Sequence, residues 1–126
     1  MKSIATSLDL AEVRSMSRAF VFIYVNWAIE ARHSETAFRN LLTVLPSPEQ
    51  GFSIPVYRVD LSEQEGEVWT ALRQWLREDG QPYDQLTYGG YGALLWIRSG
   101  AAVASVPHVA GVEQSKLVAV TKSIFE

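Results

Sequence analysis

Cysteine is missing from all 126 residues. Its absence excludes disulfides, thiol nucleophiles, thiolate metal ligands and any dithiol redox cycle. Histidine is scarce. His33 and His108 share no ligand spacing with carboxylates, so no metal site is expected. Basic charge is outweighed: 11 Lys and Arg stand against 14 Asp and Glu, giving a formal charge of −3 and a pI near 5.4. A general nucleic-acid binder needs a basic footprint to displace counterions, so nucleic acid is not an expected partner. No apolar run approaches the ~18 residues that span a bilayer, so no membrane association is expected either. Residues 1–7 hold one positive charge and no long apolar stretch, which makes the cytoplasm the expected compartment. The Gly-x-x-x-x-Gly-Lys-Ser/Thr, Gly-x-Gly-x-x-Gly and Gly-x-Ser-x-Gly signatures are all missing. Gly89-Gly90-Tyr91-Gly92 precedes a strand rather than a helix N-terminus, so these glycines read as turn-makers and not as a phosphate cradle. No cofactor is expected.

The chain does contain an ordered alternation of strands and helices, within a length suited to one domain spanning residues 1–126. Residues 20–25, Phe-Val-Phe-Ile-Tyr-Val, form an unbroken apolar run, the pattern of a strand covered on both faces. Asn26 is placed to cap a helix over residues 28–45, with Ala31, Phe38, Leu42 and Leu45 along one stripe. Pro46 and Pro48 end that helix, and a turn-rich connection follows over residues 47–53. Before this unit, residues 2–6 read as a short strand. Asp9 and Glu12 read as a capping box opening a helix to about Arg18, with Leu10, Val13 and Met16 inward. After it, residues 54–61 read as a strand. Ser62 and Glu65 then form a second capping box, opening a helix to Glu78 whose stripe is Val68 or Trp69, Leu72, Trp75 and Leu76. Residues 79–92, with three tyrosines and four glycines, read as one long irregular stretch, a length that often carries function. Residues 93–98 and 101–106 form a hairpin about Ser99-Gly100. A last helix starts at Val112, with Leu117, Val120, Thr121 and Ile124 inward.

The resulting order, β-α-β-α-β-α-β-β-α, resembles that of the thioredoxin-like family over nearly the whole chain. Trp27-Ala28-Ile29-Glu30-Ala31-Arg32 stands where the family has Trp-Cys-Gly-Pro-Cys-Lys. Val59-Asp60 closes a strand as the family does, and Leu94-Leu95-Trp96-Ile97-Arg98-Ser99-Gly100 looks like its hairpin. The resemblance implies an α/β thioredoxin fold: a mixed central sheet flanked by helices, the first strand beside the third and the hairpin on the other flank. It also implies a degenerate redox site. Ala28 and Ala31 occupy the two cysteine positions, Glu30 the active-site proline, Phe22 the buried acid and Gly92 the cis-proline. A side chain that cannot form a thiolate can serve neither as nucleophile nor as resolver.

The family also holds extended partner chains with the segments matching Trp27–Glu30, Tyr88–Ala93 and Val109–Gly111. The candidate partner-binding residues are therefore Trp27, Ile29, Glu30, Tyr88, Tyr91, Gly92 and Ala110. Trp and Tyr supply much of the energy where protein surfaces meet, though Tyr88 and Tyr91 could equally pack down as loop anchors. Glu30 fits either as a dipole-complementing charge in a first helical turn or as an acidic group facing a partner. Three readings stand: a redox-inactive protein- or peptide-binding module, an enzyme or small-ligand-binding protein with a non-thiol site in the same cleft built from Glu30, His33 and Tyr91, and a homo-oligomer-forming subunit.

Overall fold

In a computed structural model, residues 1–45, 54–63, 66–88 and 90–126 are described. They form β1 (Lys2–Ile4), α1 (Ser7–Arg14), β2 (Arg18–Tyr24), α2 (Ile29–Val44) and β3 (Val56–Asp60), then α3 (Glu67–Glu78), α4 (Tyr83–Tyr88), β4 (Ala93–Arg98), β5 (Ala101–Val106) and α5 (Gln114–Phe125). A 3-10 turn, Val109–Gly111, joins β5 to α5. The sheet order is β1-β3-β2-β4-β5. β1 and β2 run parallel to β3, while β4 is antiparallel to both β2 and β5. The first strand thus lies beside the third and the hairpin lies on the other flank, as the resemblance implied.

β2 is central because both its faces are covered. Ala19, Val21 and Ile23 join Val13, Leu72, Trp75 and Leu76 on the side of α1 and α3. Phe20 and Phe22 join Phe38, Leu41, Trp96, Leu117 and Phe125 on the side of α2 and α5. This explains an apolar run without alternation. The second layer is held by rings. Phe22 stacks on Phe38 at 5.5 Å, and Phe20 meets Phe38 and Phe125 edge-on at 5.4 Å. Such pairs add about 0.5–1.5 kcal/mol each beyond their buried area. The Trp96 indole N–H donates to Thr121 Oγ1 at 3.0 Å, satisfying both buried polar groups.

Several expected boundaries move. The first capping box is Thr6 with Asp9, three residues earlier than Asp9 with Glu12, and α1 stops at Arg14. Thr6 wins because its hydroxyl accepts from the Asp9 amide, while the Asp9 carboxylate accepts from the Ala5 and Thr6 amides. Asn26 does not cap α2. Its backbone N–H donates to Ser62 Oγ, and Ala28 is the cap residue, with no side-chain hydrogen bond. Gly66, not Ser62, precedes α3; Ser62 instead bonds Asp60, and Glu65 lies outside the described residues. So do Pro46, Pro48 and the segment 47–53, although α2 does stop at Val44. On α2, Leu41 is buried deeper than Leu42 or Leu45. On α5, which begins at Gln114, Phe125 is buried while Val120 is exposed.

The largest correction is α4, which lies inside the stretch expected to be irregular. Pro82 just before it suits a helix start, and Leu86 and Thr87 are buried. Arg73 of α3 holds it. Its guanidinium donates to Thr87 Oγ1 at 2.7 Å and to Asp84 at 2.5 Å, and lies 4.6–5.0 Å from the ring centroids of Trp69, Tyr83 and Tyr88.

At the margin of the sheet, β5 carries a bulge between its pairings with Trp96 and Ile97. The Ala102 N–H donates to the Asp79 carboxylate at 2.9 Å, and its C=O accepts from the Gln81 amide at 2.9 Å. On the opposite margin, Lys2 Nζ lies 2.6–2.7 Å from both oxygens of Glu12, which also accepts from the Tyr57 hydroxyl at 3.1 Å.

These contacts predict a pH dependence. The Lys2 hydrogen bond, helped by Tyr57, holds Glu12 below its ordinary value of 4.5. The Ala5 amide, then the Thr6 amide, holds Asp9 below 3.8. A carboxylate depressed in the folded state gives stability that is present above its unfolded value and lost as pH falls through the folded one. Thermal melts should therefore be level from neutral pH down to about pH 5 and decline below it. The decline should be shallower in Glu12→Gln. An unchanged acid limb in that variant would discount the contact.

Candidate functional site

Seen from the residues upward, the site starts where β2 ends. Trp27 follows it, 55 % exposed, and Ile29, the first residue of α2, is 62 % exposed. A β-carbon built on Gly90 would lie 2.5 Å from the Trp27 ring and 3.5 Å from Ala28 Cβ. The indole therefore lies directly on a glycine backbone whose φ is +70°. Tyr91, next in the chain, is 48 % exposed, and its ring stands 5.2 Å from that of His108. Gly92 is buried. A β-carbon there would lie 2.4 Å from Ser34 Cβ and 3.2 Å from the Phe22 ring.

Ser34 ties these pieces together. It is fully buried on α2, one turn beyond Ala31. Its hydroxyl donates to the Tyr91 carbonyl at 2.5 Å and accepts from the Ala110 amide at 3.1 Å. The Val109 amide donates to the Gly92 carbonyl at 3.0 Å. α2, the segment before β4 and the 3-10 turn thus meet at one hydroxyl.

The two positions matching the family's cysteines are both at the start of α2. Ala28 is partly exposed at its cap, and Ala31 is fully buried in its first turn. Phe22, at the buried-acid position, is wholly enclosed and stacked on Phe38. No side chain here can be a thiolate or relay a proton to one.

The other candidates are dispersed. Tyr88 is exposed, but its ring packs edge-on against Trp69 at 5.5 Å and beside Arg73, so it anchors α4 to α3. Glu30 and His33 are both exposed on α2, and among the described residues neither makes a side-chain hydrogen bond or ion pair. An open cleft of about 550 Å³ lies between the ends of β1 and β3 and the start of α3, lined by Asn26, Arg58, Asp60 and Trp69 among others. None of Glu30, His33 or Tyr91 lines it. Ser34 is the residue that sequence reasoning missed, while Gly90 was read only as a turn-maker within the segment Tyr88–Ala93. The available signal was a serine at a helical position otherwise given to core, between Ala31 and Phe38.

A central strand leading into a helix whose first turn faces a glycine-bounded loop defines the class: a mixed α/β sheet domain with a thioredoxin-type crossover and no sulfur at its mouth. No protein-family profile matches the chain, and no curated protein matches it. Solved structures do. The chain is similar to a thioredoxin from Fasciola hepatica (17 % identity, 98 % of this chain and 99 % of that one, TM-score 0.61). It is similar to a thioredoxin from Malassezia sympodialis (14 %, 98 % and 90 %, TM-score 0.64). It also resembles the protein Trxlp from Edwardsiella tarda (16 %, 96 % and 98 %, TM-score 0.60). The fold is that of thioredoxin, and these 126 residues, lacking cysteine, cannot run a dithiol cycle. Among the described residues no helix is long and apolar enough to cross a membrane.

Proposed function

We propose that the chain is a non-catalytic recognition module that binds an extended peptide segment of another protein over Trp27, Ile29 and Tyr91. The observation that carries this reading is the exposure of these three side chains where β2 gives way to α2 and where the segment before β4 meets it, with the Trp27 ring lying on Gly90. Gly90 is buried under the Trp27 indole and Gly92 against Ser34, so Tyr91 projects from closely packed backbone with its ring half in solvent. An extended chain can lie across these exposed side chains, with an apolar residue against the indole. Glu30, next to Ile29, and Ala110, whose amide bonds Ser34, are also exposed. Trp and Tyr are among the residues that most often anchor an interface.

Selection from a random peptide library on the immobilised protein tests this. Selected peptides, read by fluorescence polarisation, should lose at least about tenfold in affinity for Trp27→Ala and for Tyr91→Ala. Val120→Ala, on the exposed side of α5, should bind as the wild type does. An empty selection, or equal binding by Trp27→Ala, would remove the reading.

A further inference from the structure

We propose that Ser34 is the positioning residue of this docking face: its buried hydroxyl presents Tyr91 and Ala110 to the partner as one preorganised unit. The inference rests on the peptide-binding reading for its consequence, but not for its geometry.

Ser34 is wholly buried, and a buried hydroxyl is favourable only when its donor and acceptor capacity are used. Here both are used, and neither partner belongs to a regular element. The Tyr91 carbonyl lies in the segment leading into β4, and the Ala110 amide lies in the 3-10 turn after β5. These two segments reach the surface on either side of the same serine. Gly92 lets them approach, since a side chain there would strike Ser34 Cβ at 2.4 Å. The Val109 amide to Gly92 carbonyl bond then closes the ring of contacts. Tyr91 is held at its backbone, so its ring is aimed without being covered. A face fixed beforehand loses less freedom when a partner docks.

Ser34→Ala tests this with little change of shape. It leaves the Tyr91 carbonyl and the Ala110 amide without their partner. Measured by NMR on the whole chain, hydrogen exchange at the Ala110 amide should accelerate at least fivefold more than at Leu95 in the middle of β4. Equal acceleration at both would mean that Ser34 merely supports the fold, and no acceleration at Ala110 would mean that the bond is absent. Either result overturns the proposal.

The second arm uses a peptide selected on the wild type. Ser34→Ala should weaken binding about fivefold in the wild-type background and less than twofold in Tyr91→Ala, because the serine acts through that residue. Equal losses in both backgrounds overturn the positioning role. If the wild type selects no peptide, the docking reading fails by itself, and the exchange at Ala110 still decides whether Ser34 clamps the two segments.

Discussion

Gly92→Ala should cost about 3 kcal/mol of stability, lowering the melting temperature by roughly 10 °C for a chain of this length. Two separate terms add. At φ +85° an L-residue pays the left-handed penalty, about 1–2 kcal/mol. The new methyl would also stand 2.4 Å from Ser34 Cβ and 3.2 Å from the Phe22 ring, both fully buried, and overpacking of this kind costs about 1–3 kcal/mol. Gly80 separates the terms. It has a similar φ, +74°, but nothing within 4 Å of its would-be β-carbon. Gly80→Ala should therefore show the first term alone, about 1 kcal/mol. Denaturant titration of the two variants gives the difference directly. Equal costs would mean that α2 and the segment before β4 do not approach as closely as described.

The second large effect concerns chemistry put back rather than taken away. A cysteine introduced at Ala28 should be unusually acidic. Ala28 caps α2 with an extended backbone, φ −118° and ψ 126°, and no side chain meets the first-turn amides. A thiolate at that point would face those amides and the positive end of a 16-residue helix. The pH profile of alkylation of Ala28→Cys should have its midpoint at least about one unit below the ordinary 8.5. Thr43→Cys, in the last turn of the same helix, should titrate at or above the ordinary value, since it meets the negative end. Glu30 sits in the first turn and opposes the thiolate, so Glu30→Gln added to Ala28→Cys should lower the midpoint further. Coincident profiles for the two cysteines would show that the helix start no longer has the electrostatics of a thiolate site.

Much of the fold was legible because burial wrote it into residue type. Phe20 to Tyr24 could be read as a central strand, since every position needed an apolar or aromatic side chain whichever face it took. The hairpin was legible to the residue, because Ser99-Gly100 supplies two positive-φ positions between apolar runs. Caps were less so. Thr6 with Asp9 and Asp9 with Glu12 both satisfy the spacing rule, and only tertiary contact decides between them: Glu12 is engaged by Lys2 and Tyr57 instead. α4 was hidden by the glycines on either side of it and by the tyrosines at its own two ends, and its holding residue, Arg73, lies on another helix. At the site, the missing cysteines and the lone Trp27 could be read directly. Ser34 could not, because a serine's meaning depends on two backbone groups that arrive from residues 57 and 76 positions away.

One consequence follows from the outer margin of β5. Ala-Ala-Val-Ala-Ser-Val is an uncharged six-residue strand with no proline, so nothing in its own sequence blocks pairing along its outer side. Its open side offers the Ala102 amide and carbonyl to any passing chain. Asp79 and Gln81, from the turn after α3, occupy both groups. The strand therefore borrows its gatekeepers from a neighbouring turn, and a variant lacking the Asp79 and Gln81 side chains would leave the Ala102 N–H and C=O free to pair with a strand of another copy.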